Sequence, residues 1–249
     1  MLLHGFHVVM SRLRRAPGSV TELYLDMNRQ DARMSQLQKL AEQHDLRAKM
    51  VEGIRLDRLC RHKRHQGVVA FAEADFEPVL LEDLLDDIDG PPLLLVLDGV
   101  TDPRNLGACL RAADGAGAHG VIAPKDHSCP LSDVAVQTAS GAAESVPYVM
   151  VTNLARAMDT LNEAGIWTIG TDDAAEQTLF DADIPDSVAW VLGAEGKGLR
   201  RLTKERCDAL VRIPMGGAVS SLNVSVASGV ALYDSVRRRA MAASNESRP

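Results

Sequence analysis

The apolar positions of this 249-residue chain fall into short runs whose period changes in a regular order. LLLVLD (93–98) is apolar without a break until its closing acid, the pattern of a strand buried on both faces. NLGACLRAADGAG (105–117) reads as a helix stopped by glycines, and GVIAP (120–124) as the next strand. The order repeats downstream, with helical patterning at 132–142, a strand at YVMV (148–151) and a helix over 153–164. IWTIGT (166–171) and VAWVLG (188–193) are further strands, followed by a short helix around 203–208, LVRIP (210–214), and a long helix from about Leu222 to Arg239. Trp167 and Trp190 lie in strand runs and are expected in the core. Strands interleaved with helices predict an α/β fold: a mostly parallel sheet with helices on both faces.

The first part of the chain is patterned differently. Helical spacing appears at 7–15 and 31–44, and strand character at TELYL (21–25) and GVVAFA (67–72), enough for a small α/β unit. Between the two parts runs FEPVLLEDLLDDIDGPP (76–92), with six acidic residues, no basic one, and a Gly-Pro-Pro close. This amphipathic acidic stretch and breaker divides the chain into residues 1–76, a linker 77–92, and a domain 93–249.

Composition narrows the class. With 46% hydrophobic and 24% charged residues the chain is an ordinary globular one, and with 4% aromatics its core rests on aliphatic residues and alanine. Cys60, Cys109, Cys129 and Cys207 are widely spaced with no CxxC pair, a pattern of reduced thiols rather than a disulfide framework or zinc knuckle. No metal site is expected. The N-terminus lacks the pattern of a secretory signal and no run is long enough to span a bilayer, so a cytoplasmic protein with no membrane partner is expected. The net charge of −7 argues against nucleic acid until its distribution is considered. Residues 1–76 hold 13 Lys and Arg against 9 Asp and Glu, whereas the remainder holds 14 against 25. Clusters such as Arg12-Leu13-Arg14-Arg15 and Arg61-His62-Lys63-Arg64-His65 form either a solvated basic face or a surface for phosphates.

Gly115-Ala116-Gly117-Ala118-His119-Gly120 matches the G-x-G-x-x-G dinucleotide pattern, but a helix precedes it and a strand follows. That order is the reverse of what a pyrophosphate site requires, and the glycines read as a helix stop and turn. Chemistry is expected instead in three loops that follow strands, since open α/β sheets bind ligands beyond the carboxyl ends of their strands. The first is DGVTDPRNLG (98–107) with Arg111 beyond it, a charge set among Ala108, Cys109, Leu110, Ala112 and Ala113. Asn105 there could be no more than a helix cap. The second is LGAEGKGL (192–199), where three glycines surround Glu195 and permit close backbone approach to a ligand. The third, IPMGGAVSSLNVSVASG (213–229), sets Ser220, Ser221 and Asn223 just before an apolar stretch, as a helix cap or as part of a site.

Taken together, DPRNLGACLRAAD, LGAEGKGL and IPMGGAVSSLNVSVASG resemble the three signature motifs of the SpoU/TrmH branch of the SPOUT methyltransferases, in order and near their usual spacing. GAAESVP, VTNLARAM, HQGVVA and GFHVV extend the resemblance to members that methylate guanosine in 23S rRNA. The resemblance implies S-adenosylmethionine as cofactor, a ribose 2'-hydroxyl of 23S rRNA or a precursor large ribosomal subunit as acceptor, and a homodimer. It implies a deep trefoil knot in the C-terminal sheet and an L30-like RNA-binding domain over residues 1–76. Carried over by motif, Asn105, Arg111, Glu195, Ser221 and Asn223 are the catalytic-centre residues. Gly193, Ile213 and Leu222 contact the cofactor, with Gly196 and Met215 beside them. Arg111 is expected to orient the ribose or phosphate and to stabilise a developing alkoxide, with Glu195, Ser221 and Asn223 holding Arg111 and Asn105. The group that takes the hydroxyl proton stays open. His7, His62 and His65 fit either an RNA contact or a structural role.

Overall fold

The structure is a computed structural model that describes residues 1–60, 65–73 and 79–246, with the side chains of His7, Arg15, Asn245 and Glu246 left aside. The basic run 61–64, which includes His62, and the boundary at 76/77 lie outside the described residues, as does the side chain of His7.

The first unit runs β1 (Leu2–His4), α1 (Phe6–Arg15), β2 (Val20–Asp26), α2 (Ala32–Gln43), β3 (Ala48–Val51), α3 (Gly53–Leu59) and β4 (Val68–Ala72). Its four strands lie in the order β1-β4-β2-β3, antiparallel except for the β2–β3 pair. One face buries Leu23, Leu25, Val68 and Ala70 with residues of α1 and α2, and the other buries Tyr24 and Val69 with Leu56 of α3. His65 is structural: one ring nitrogen accepts from the Gly67 N–H at 3.0 Å and the other lies 3.1 Å from Asp57.

Within the acidic stretch, residues 81–86 form α4 (Leu81–Asp86), whose Leu81 and Leu84 are buried. The remainder is β5 (Leu93–Asp98), α5 (Pro103–Gly115), β6 (Gly120–Pro124), α6 (Asp133–Ala139), α7 (Ala142–Ser145), β7 (Tyr148–Val151), α8 (Leu154–Glu163), β8 (Trp167–Thr171), β9 (Val188–Gly193), α9 (Arg201–Glu205), β10 (Ala209–Val211) and α10 (Val224–Glu246). Six parallel strands are ordered β10-β8-β9-β5-β6-β7. Alternation along β5 explains the two covered faces. Leu93, Leu95 and Leu97 join the core under α5 and α10, while Leu94 and Val96 pack with α4 and α8.

Two local readings change. The helix read over 132–142 breaks where Ser140 (φ 54°) and Gly141 (φ 103°) adopt left-handed backbone, giving α6 and α7. Trp190 is fully buried and donates to Ser235 Oγ at 2.9 Å, but Trp167, at the start of β8, is 50% exposed. Alternation sends the residue before Thr168 outward, because Thr168 is the one turned inward, its hydroxyl 2.8 Å from Asp208.

The two units share one apolar cluster, and a buried ion pair joins them. Arg12 of α1 and Glu144 of α7 are 1% and 3% exposed, with Nε 2.8 Å from Oε2 and Nη2 donating to Oε1 at 2.9 Å. No helix among the described residues is long and apolar enough to cross a membrane.

Candidate active site

The sheet reverses its order between β5 and β9, and the loops leaving these two strands meet there. Such a switch point opens a crevice at the carboxyl ends of the strands. Asp98, the last residue of β5, is buried beside Gly193, the last of β9. Its carboxylate accepts from the Arg200 N–H at 3.0 Å and from Arg200 Nε at 2.5 Å, tying down the far end of the glycine-rich loop. The near end is fixed by packing. A methyl carbon at Gly193 would stand 2.0 Å from the carbonyl carbon of Gly198, so only glycine admits this return of the backbone.

Glu195 projects from that loop. Its Oε2 accepts from Asn223 Nδ2 at 3.2 Å and from Asn105 Nδ2 at 3.4 Å, and Asn223 Nδ2 also donates to Asn105 Oδ1 at 3.0 Å. Three segments distant in sequence therefore close one network. Asn105 is not the cap of α5. Asp102 takes that duty, accepting from the Arg104 N–H at 2.8 Å, with Pro103 at the first helical position. Asn223 serves twice, because its Oδ1 also accepts from the Ser225 N–H at 2.9 Å and from Ser225 Oγ at 2.6 Å at the start of α10.

Two cavities flank this network. One, of about 340 Å³, is lined by all five residues assigned to the cofactor (Gly193, Gly196, Ile213, Met215 and Leu222) and by Glu195 and Ser221. Asp172 and Asp173 form part of its wall. Burial raises the Asp172 carboxyl, but the Lys204 ammonium 2.7 Å away outweighs that and leaves it below its ordinary value, so it is ionised at neutral pH. The second cavity, of about 420 Å³, lies over the ends of β5 and β6 and includes Asp98, Thr101, Asp102, Asn105, His127, Lys197 and Arg200. Ala194, Glu195, Lys197, Gly198 and Val224 face both, so the glycine-rich loop is the partition.

The structure brings Asn105, Glu195 and Asn223 together and leaves two expected partners outside their network. Ser221 is an exposed residue of the first cavity's wall with no hydrogen bond to the three. Arg111 lies six residues beyond Asn105 on α5, about 9 Å along the axis and two-thirds of a turn around it. It is exposed, and no described residue holds its guanidinium; Glu195 and Asn223 hold Asn105 instead. Sequence reasoning missed the Asp98–Arg200 clasp and Asp172, which depend on strands meeting side by side. It also missed Asp102 as the cap, although Asp-Pro is a legible helix start.

A cofactor-sized cavity at the switch point of a parallel sheet, beside an amide–carboxylate network, defines an α/β protein with a ligand site at the carboxyl ends of its strands. Comparison with known proteins refines this. Residues 92–233 match the model of the SpoU rRNA Methylase family, and residues 2–78 match that of RNA 2'-O ribose methyltransferase substrate binding. The chain is 56% identical over 240 residues, 96% of each sequence, to the 23S rRNA (guanosine-2'-O-)-methyltransferase RlmB of Ralstonia nicotianae. It is 55% identical to the protein of the same name from Bordetella pertussis, over 96% of this chain and 97% of that one. Among solved structures it resembles the SpoU methyltransferase AviRb from Streptomyces viridochromogenes in complex with AdoMet, with a TM-score of 0.74 and 26% identity over 96% of this chain and 90% of that one. The chain belongs to the SpoU rRNA methylase family.

Proposed function

We propose that this chain transfers the methyl group of S-adenosylmethionine to the ribose 2'-hydroxyl of one guanosine in 23S rRNA. The observation that carries the reading is the pair of cavities that share Glu195, the carboxylate bonded to Asn105 and Asn223, with relatives of that activity aligned over 96% of the chain. The first cavity fits the cofactor. Its volume is within the range of small-ligand sites, and glycine backbone permits close approach. Asp172, Asp173 and Glu195 match the positive charges of a sulfonium and an ammonium. When bound, the cofactor supplies an already activated methyl group, so the protein's task is alignment and removal of a proton.

Gly193, Gly196, Ile213, Met215 and Leu222 hold the cofactor, and Ser221 stands at its edge. Asn105 and Asn223, locked by Glu195, set the acceptor hydroxyl in line with the methyl carbon. Arg111, exposed and unheld, meets the ribose or its phosphate and stabilises the oxygen as it becomes nucleophilic. A permanent positive charge suits that task better than accepting the proton.

Residues 1–76 act as an L30-like RNA-binding domain, supported by their basic balance, and 93–249 as the catalytic domain. A trefoil knot fits the winding of 171–173, 192–198 and 213–222 about one cavity and the clasp of Arg212 on Ala175. A homodimer fits Val226 and Tyr233, each 51% exposed on α10 with Gly229 open between them. A cytoplasmic location fits that substrate.

Arg111→Ala is expected to abolish methyl transfer from labelled cofactor to 23S rRNA while leaving cofactor affinity, measured calorimetrically, near that of the parent. Turnover near the parent rate would remove Arg111 from the mechanism.

A further inference from the structure

The second cavity contains two basic side chains that the proposed chemistry does not use. Lys197 comes from the loop after β9 and His127 from the loop after β6, and β5 lies between those strands. Strands two apart stand about 10 Å from each other, so the two residues bracket the cavity from opposite sides. Every acid in its wall is already engaged. Asp98 is paired with Arg200, Asp102 caps α5, and Glu195 accepts from Asn105 and Asn223. Neither Lys197 nor His127 has a side-chain partner among the described residues, and both are exposed toward an entering ligand.

The His127 backbone is a second observation. With φ at 62° it occupies the left-handed region, which a residue with a Cβ adopts only where the surrounding structure imposes it. The turn is held from both sides. Lys125 N–H donates to Val151 O at 2.8 Å and Cys129 N–H to Val100 O at 2.9 Å. The second of these bonds pins the His127 loop to the loop that opens α5, so the His127 backbone is held at the wall of the cavity that Asn105 also lines.

We propose that His127 and Lys197 form a phosphate clamp: they hold the phosphodiesters on the two sides of the acceptor nucleotide and so present its ribose to the partition network. This rests on the reading of the chain as an RNA methyltransferase. An ammonium and an imidazole N–H are both phosphate donors, and contacts to the backbone fix register without reading sequence. They are positioning residues, acting on RNA affinity and alignment rather than on the methyl group.

The test uses the full-length protein, a 23S rRNA fragment as ligand, and RNA affinity measured across a salt series alongside steady-state methylation. Lys197→Ala is expected to weaken RNA binding about tenfold and to flatten the dependence of log K on log salt by roughly 0.7, one released counterion on single-stranded RNA. His127→Ala is expected to raise KM for RNA about five- to tenfold, more than it lowers kcat, and His127→Arg to restore KM while steepening the salt dependence by a similar increment. Cofactor affinity is expected to stay at the parent value in both His127 variants; Lys197 also lines the first cavity, so its RNA salt slope is measured at saturating cofactor. An unchanged salt slope in Lys197→Ala, or a loss in His127→Ala that His127→Arg does not restore, would overturn the clamp. Failure of the parent protein to methylate the fragment would strike the proposed activity instead, while the salt slopes would still decide whether the clamp exists.

Discussion

Asn223 offers the sharpest separation of folding from chemistry, because one amide serves both. Its carbonyl oxygen caps α10 through Ser225, and its NH₂ group donates to Asn105 at 3.0 Å and Glu195 at 3.2 Å. Asn223→Ala removes both functions. Loss of the cap costs about 1 kcal/mol, equivalent to roughly 2–4 °C in Tm for a chain of this size. Asn223→Asp keeps the cap, since Asp caps as well as Asn, but cannot donate to either partner. A neutral bond is worth about 1 kcal/mol and a bond to a carboxylate about 1.5–3. If the network's alignment is fully used in the transition state, kcat falls about 10²- to 10³-fold. The added carboxylate lies beside exposed Glu195, where solvent limits the repulsion to less than about 1 kcal/mol. The expected pattern is thus Asn223→Asp within a few degrees of the parent in thermal unfolding yet nearly inactive in transfer of labelled methyl to 23S rRNA. An Asn223→Asp protein with parent kcat would refute the reasoning, as would one destabilised as strongly as it is inactivated.

Two further expectations concern stability. Glu144→Gln leaves the Arg12 guanidinium buried without its counter-charge and should lower stability by about 3–5 kcal/mol in urea titration, whereas Arg12→Met with Glu144→Leu should recover most of the loss. Burial pushes the Cys109 thiol up to about 11 and the Cys207 thiol up to about 12, so both should resist alkylation at pH 8 in the folded protein and react on unfolding. For the same reason the unfolded chain loses these protons first, and the urea midpoint should fall as pH rises from 9.0 through about 11; a flat midpoint would contradict their burial.

The domain beyond Leu93 was legible in its pattern because its central strands β5, β6 and β9 are apolar runs buried along their length; every expected strand forms, the one read over 210–214 only as the short β10. The first unit was less so. β1 is three residues long, and Lys49 interrupts the four-residue β3, leaving little periodicity to read. α4 was read only as an acidic linker because two buried leucines among acids carry a weak signal, yet they complete the core on one sheet face. In the site, Asn105, Glu195 and Asn223 were each visible as polar residues after strands. Their mutual bonds were not, because sequence does not disclose that β9 lies against β5. That adjacency also decides that Glu195 holds Asn105 rather than Arg111.

The most direct test of the central claim is to incubate the purified protein with labelled S-adenosylmethionine and undermodified 23S rRNA, and to map the product nucleotide by nucleotide. The account predicts one 2'-O-methylguanosine, formed to about one equivalent per rRNA. Label on a base, on a nucleotide other than guanosine, or on no nucleotide at all would contradict it.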